Sequence, residues 1–308
     1  MAKKSGYTVP VNFPGKISIT APSSGFDRKL FKKGIRILEE NGLSSSVDEK
    51  IFQTESFLAG KDKTRAQILL NSFSDPNTDI VWAARGGYGA IRLLEYLEKN
   101  IHIFIKNKKF FVGFSDITII HSFLNEKAGL ATIHGPNITS VGNLSREMIE
   151  HMLQLLKLCK NNFEIKTPDM KTVQKGKAKG VVKGGNLSSL CSLTGTPWQA
   201  DFTDCILFLE EVGEQPYRID RMLTQMRLSG CFENIKGLIL GDFSFLSKKS
   251  GKKASIYSSL ITDSLKLSPE IPVIEGFPAG HGKNNFAFFL GAEAVLDADK
   301  ASLTYEKM

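Results

Sequence analysis

The chain has 308 residues, 42% of them hydrophobic, which exceeds the roughly 250–300 residues at which single hydrophobic cores stop growing, so two domains are expected. Forty Lys+Arg against 32 Asp+Glu leave a net charge of +8, compatible with a polyanion or a small acidic ligand. No segment reaches the roughly 18 apolar residues of a membrane span, and no apolar stretch follows the lysines of MAKKSGYTVP, so a soluble, unexported protein without a membrane partner is expected.

In chain order, GKISITAPSS reads as a first buried strand ending in a small-residue turn. DRKLFKKGIRILEENG follows as an amphipathic helix with Leu30, Ile35 and Leu38 on its apolar stripe and Gly42 as its stop. A second helix falls around KTRAQILLNSFS. TDIVWAARGGYGAIRLLEYLEKN then gives strand, glycine turn and helix, and KFFVGFSDITIIHSFLNEKAG repeats that order. Strands alternating with helices of this length predict right-handed crossovers and a mostly parallel, Rossmann-like α/β sheet covered on both faces. Ligands of such sheets bind beyond the carboxyl ends of the strands, where the glycine turn and Ser115 both fall.

Past residue 150 the chain runs from a helix into a polar segment bearing lysine and glycine. This places an N-terminal domain at 1–155, a linker at 156–178 and a smaller β-rich domain at 179–308. The latter holds short strands in CILFLEE, GLILGDF and AEAVLDADKASLTYE and a strong helix in YRIDRMLTQMRLSG. The dense lysines, KNKK (Lys106, Lys108, Lys109) and KKSGKK (248–253), interleave no aromatics and read as solvated loops, with no nucleic-acid partner. Cys159, Cys191, Cys205 and Cys231 show no C-x-x-C spacing and read as buried thiols.

Three glycines in four positions of ARGGYG let the backbone approach a ligand closely and offer outward N–H groups at a helix start. The turn matches neither a P-loop nor a dinucleotide fingerprint, so its anion can equally be a carboxylate or a transient oxyanion, and a plain tight turn remains the alternative. GFSDIT holds Gly113 two before Ser115, half of a G-x-S-x-G elbow with Ile117 in place of the second glycine. A serine before an apolar helical run is also an ordinary N-cap. His121, six residues along, lies about 9 Å down the helix axis and is a poor base for Ser115. His102 and His151 read as exposed helix flanks, and His134 in TIHGPN follows a strand. His281, in the glycine-flanked loop EGFPAGHGKNN, is freer to be functional. Alternation in CILFLEE puts Ile206, Phe208 and Glu210 on one face, with Glu210 ending a buried row.

Taken together, APSSG, FLAGKDKTRAQILLNSFSDPNTDIVWAARGGYGAIRLL, VGFSDIT, HGP, KGGNLSSLCSLTGTPW, ILFLEEVGEQPYRIDRML and FPAGHG resemble, in order through nearly the whole chain, the LD-carboxypeptidase family. This family of serine peptidases includes muramoyl-tetrapeptide carboxypeptidases and microcin C self-immunity proteins. The resemblance implies a nucleophile at Ser115, an acidic triad member at Glu210 and a base at His281, in a cleft between the two domains. It leaves the backbone N–H groups of Asp116 and of Gly86 or Gly87 as oxyanion donors, with Arg85 as a partner for a substrate carboxylate. It further implies no metal or cofactor, a cytoplasmic homodimer, and a peptide substrate, a murein tetrapeptide losing its terminal D-Ala. A self-immunity hydrolase of aminoacyl-nucleotide toxins and a non-catalytic anion- or peptide-binding module remain the alternatives.

Overall fold

The apolar runs IVWA and FFVG are buried at every position, as strands covered on both faces of a parallel sheet must be. In the computed structural model, which describes residues 15–157, 162–243 and 255–306, these are strands β3 (Ile80–Ala83) and β4 (Phe110–Gly113). With β1 (Lys16–Thr20), β2 (Ser44–Val47) and β5 (Thr132–His134) they make a parallel array in the order β5-β4-β3-β1-β2. The connecting helices are α1 (Arg28–Glu40), α2 (Asp62–Ser74), α3 (Leu94–Lys99), α4 (Ile101–Lys106) and α5 (Thr118–Phe123), followed by α6 (Ile138–Val141) and α7 (Arg146–Lys157). These elements belong to a first unit of the chain, made of the residues before 160 together with Ala287–Ala292.

Helix α1 starts at Asp27, whose carboxylate accepts from Lys29 N and Leu30 N. Its buried residues are Phe31, Gly34 and Leu38, so the apolar stripe is shifted from the expected one and Leu30 is 40% exposed. The shift has a packing cause: a Cβ at Gly34 would stand 2.0 Å from the Ile138 carbonyl oxygen, so α1 seats on α6 through its glycine.

The second unit holds β6 (Phe163–Ile165), β7 (Lys171–Gln174), β8 (Lys177–Asn186), α8 (Leu187–Cys191), β9 (Cys205–Glu210), α9 (Pro216–Leu228), β10 (Gly237–Leu240), α10 (Ser255–Leu265), β11 (Val273–Glu275), β13 (Glu293–Asp297) and β14 (Ser302–Tyr305). Its sheet runs β6-β14-β13-β8-β9-β10-β11-β7, with β8 to β11 parallel and the outer pairs antiparallel. Strand β12 (Phe288–Leu290) pairs antiparallel with β5, so this short segment belongs to the first unit's sheet. Strands β6 and β7 lie inside the span expected to be linker. Both are edge strands of the second sheet, where polar and lysine residues are tolerated.

Leu207 and Leu209 of β9 face a cluster with Leu187 and Leu190 of α8, Leu223 of α9 and Ile261 of α10. The opposite face carries Phe208, which packs edge-on against Phe277, and Glu210. Lys109 departs from the solvated-loop expectation. It is buried, and its Nζ donates to the carbonyls of Ser72 and Asp75 at the end of α2. KKSGKK lies outside the described residues, as does Cys159. Cys205 and Cys231 are buried and Cys191 is half-buried. No described helix is long and apolar enough to cross a membrane.

Candidate active site

Strand β4 ends at Gly113, and the chain turns at Ser115 into a 3-10 turn, Ser115–Ile117, that leads into α5. Ser115 has φ +68°, a left-handed conformation that costs a non-glycine residue roughly 1–3 kcal/mol and persists only where its surroundings enforce it. Those surroundings are explicit. The Asn137 side chain accepts from Phe114 N at 3.3 Å and donates to Phe114 O at 3.4 Å, clamping the preceding peptide. Gly113 O accepts from Gly135 N at 3.0 Å and from His121 Nε2 at 2.8 Å. His121 therefore reaches back along α5 to brace the strand end, and complete burial holds its pKa down to about 4, so the ring is neutral. The N-cap of the turn is Phe114, with no side-chain cap bond, so Ser115 is not the capping residue.

The glycine turn closes over this corner. A Cβ on Gly86 would lie 2.9 Å from Ser115 Cβ and 3.2 Å from Ser115 Oγ, so the residue that touches the serine cannot carry a side chain without displacing it. Gly87, at φ +104°, stands against Ser24, where a Cβ would meet Oγ at 2.5 Å. The Asp116 carboxylate is buried and accepts from Ser23 Oγ at 2.6 Å and Ala90 N at 2.9 Å, tying the β1–α1 loop and the glycine turn to the serine corner. Burial pushes that carboxyl above the ordinary range, against the pull of those two bonds and of Arg65. Arg85 is exposed and donates to Gly25 O at 2.6 Å.

In the second unit Glu210 ends β9 completely buried, and its Oε2 lies 2.8 Å from His281 Nδ1. A carboxylate oxygen only accepts, so Nδ1 carries the proton and the neutral ring presents Nε2 as its acceptor. Burial opposes the charged imidazolium, but the hydrogen bond and charge of Glu210, with the charges of Glu211 and Asp242, outweigh it and raise the His281 pKa above its ordinary value. Gly280, at φ +126°, sits where a Cβ would stand 2.9 Å from Glu210 Oε2, which lets the loop approach the carboxylate. Asp242 N donates to Ala279 O and Asp242 O accepts from Glu211 N, joining the histidine loop to the end of β9. Glu211 accepts at Oε2 from Ser188 N (2.7 Å) and Ser188 Oγ (2.5 Å), in the first turn of α8, whose N-cap is Asn186.

Of the residues expected at the site, the first unit thus gathers Ser115, Asp116 and Gly86, with Gly87 against Ser24 and Arg85 against Gly25, and the second pairs Glu210 with His281. His134 is buried between the rings of Phe114 and Phe288, His151 Nε2 donates to Ala287 O at 2.8 Å, and His102 is exposed. Arg65 went unread. It is fully buried and donates to the carbonyls of Pro22, Gly60 and Gly89 and to Asp62, so one guanidinium fixes three loops around the serine. Its signal was an arginine inside the apolar stripe of TRAQILL.

Residues 17–135 match the LD-carboxypeptidase N-terminal domain and residues 179–296 the LD-carboxypeptidase C-terminal domain. A putative carboxypeptidase of Synechocystis sp. is 34% identical, the match covering 97% of this chain and 99% of that protein. A probable murein peptide carboxypeptidase of Bacillus subtilis is 29% identical over 94% of this chain and 91% of its own. A solved structure of the microcin C7 self-immunity protein MccF has a TM-score of 0.87 over 98% of both chains at 20% identity, a likeness of fold alone. The chain therefore belongs to the LD-carboxypeptidase family, and it is a serine-type carboxypeptidase.

Proposed function

We propose that this carboxypeptidase releases the terminal D-amino acid, D-Ala, from murein tetrapeptides through a triad of Ser115, His281 and Glu210. The observation that carries the reading is the 2.8 Å bond from His281 Nδ1 to a fully buried Glu210, which leaves Nε2 in the tautomer a general base needs. His281 Nε2 takes the proton of Ser115 Oγ as that oxygen attacks the scissile carbonyl carbon. The oxyanion of the tetrahedral intermediate is received by the N–H of Asp116, in the first turn after the strand, and by that of Gly86, which lies against the serine. The imidazolium returns its proton to the departing amine, leaving an acyl-enzyme on Ser115, and water, activated by the same histidine, hydrolyses the ester. Glu210 orients the ring and stabilises its charged form. The same reading places the enzyme in the cytoplasm as a homodimer.

Digestion of a murein tetrapeptide, followed by mass spectrometry, tests the substrate. The expected product is the tripeptide plus free D-Ala. If the tetrapeptide stays intact while an aminoacyl sulfamoyl adenosine is cleaved, the chain is instead a self-immunity hydrolase of the MccF kind. A chain that turns over neither but binds the peptide would be a binding module.

Gly86→Ala probes the serine corner. The new Cβ, 2.9 Å from Ser115 Cβ and 3.1 Å from Phe114 O, forces the turn or the nucleophile to move. A displacement of about 1 Å costs on the order of 10²-fold in rate, so kcat is expected to fall by about that factor. Unchanged kcat would mean that the glycine serves the turn alone.

A further inference from the structure

Two aromatic rings stand exposed beside the serine corner. Phe57 is 56% and Tyr88 48% exposed, and their rings pack with centroids 5.6 Å apart at 60°. Neither is on a loose segment. Phe57 occupies a two-residue turn closed by Glu55 N to Leu58 O and Leu58 N to Glu55 O, both 3.0 Å, with Ser56 forced to φ +57°. Tyr88 lies between Gly87 and Gly89, both at positive φ, its N–H donating to Ser24 Oγ at 3.0 Å. Ser24 itself bridges to Leu58, and Gly25 N donates to Phe57 O at 3.0 Å.

The two turns are thus cross-tied through Ser24 and Gly25. Gly25 O is also where the exposed Arg85 guanidinium rests. Tyr88 is two residues from Gly86, so their Cα atoms are at most about 7.6 Å apart at 3.8 Å per residue, and Gly86 touches Ser115. A strained turn that holds an apolar ring out in solvent works against folding, and such features are retained at ligand sites.

We propose that Phe57 and Tyr88, with Arg85 at their edge, form a preorganised subsite for the peptide chain of the substrate. The rings take its planar amides and alanyl methyl groups, and the guanidinium takes a peptide carboxylate. The chemistry fits a short acidic peptide: flat aromatic faces bind apolar and amide surface at little entropic cost, and one fixed cation pairs with one carboxylate. The subsite rests on the peptide-hydrolase reading above and extends it to specificity.

The test measures binding apart from catalysis. Titration calorimetry of a murein tetrapeptide is run on Ser115→Ala and on the same chain carrying Phe57→Ala and Tyr88→Ala, with folding checked by circular dichroism. Dissociation constants are expected to rise about tenfold for the ring-deleted chain, equivalent to about 1.4 kcal/mol of lost aromatic contact. In chains retaining Ser115, KM should rise by a similar factor with kcat within about threefold, and Phe57→Tyr with Tyr88→Phe should restore it. Equal tetrapeptide affinity with and without the rings overturns the subsite. So does unchanged affinity accompanied by loss of self-association in sedimentation, which assigns the rings to a contact between copies of the chain. Labelling of the wild-type chain by a small fluorophosphonate reports the other reading separately: no label on Ser115 would sink the serine mechanism while leaving the binding comparison valid.

Discussion

Ser115→Ala is expected to lower kcat for tetrapeptide hydrolysis by about 10⁴- to 10⁶-fold, the loss seen when a triad nucleophile is removed, and to abolish labelling by a fluorophosphonate. The variant should fold. Alanine keeps the Cβ that packs beside Gly86, and because Phe114 occupies the cap position, the roughly 1 kcal/mol that a lost N-cap costs is not expected. A chemical denaturation midpoint close to wild type, together with vanished turnover, is therefore the signature of a nucleophile. The opposite pattern, a lowered midpoint with turnover intact, would identify a structural serine and remove the mechanism. The enforced left-handed backbone sharpens the contrast. The bonds from Asn137, Gly135 and His121 onto Gly113 and Phe114 hold that backbone in place.

How far the sequence could be read depended on the range of the interactions involved. Strands such as IVWA and FFVG announce themselves because burial on both faces demands a continuous apolar run, and the turns after them show in glycine and serine. Strand β8, KAKGVVKGGN, does not, since its lysines and glycines hide a ten-residue strand whose Gly184 meets the backbone of Phe208. The pairing of β12 with β5 is encoded in no local period: three residues, FFL, join a strand some 150 positions earlier. The same divide runs through the site. Alternation places Glu210 at the end of a buried row and a glycine loop leaves the His281 side chain free, while the roles proposed for both come from the family resemblance. Arg65, Asn137 and the carboxylate of Asp116 brace the corner through contacts distant in sequence, so their roles emerge only once the loops are folded together. The brace that His121 makes to Gly113 O is equally hidden in the sequence, because its side chain points back toward the start of the helix.

Glu210→Gln is expected to lower kcat by about 10⁴-fold, the loss found when the carboxylate of a related triad becomes an amide and the histidine takes the wrong tautomer. The amide can donate to Nδ1 as readily as accept from it, and if it donates, Nε2 carries the proton and cannot take one from Ser115. The pH profile separates this from misfolding. With His281 as the proposed base, its raised pKa is expected to set the acid limb of wild-type kcat/KM above the ordinary histidine value of 6.5, because a base must be neutral to act. Without the hydrogen bond and charge of Glu210, burial is opposed only by Glu211 and Asp242, so the limb of the residual activity should move to lower pH. Stability follows the same linkage. A folded-state pKa raised above the unfolded value contributes stability that is fully present below pH 6.5 and lost as pH rises through the folded pKa, so the wild type should lose this contribution across that window and Glu210→Gln should not. Urea titrations on either side of the window, on both proteins, measure the difference. A variant whose acid limb stays in place despite the lost rate would mean that some group other than Glu210 tunes His281, with Asp242 and Glu211 the carboxylates left to do it.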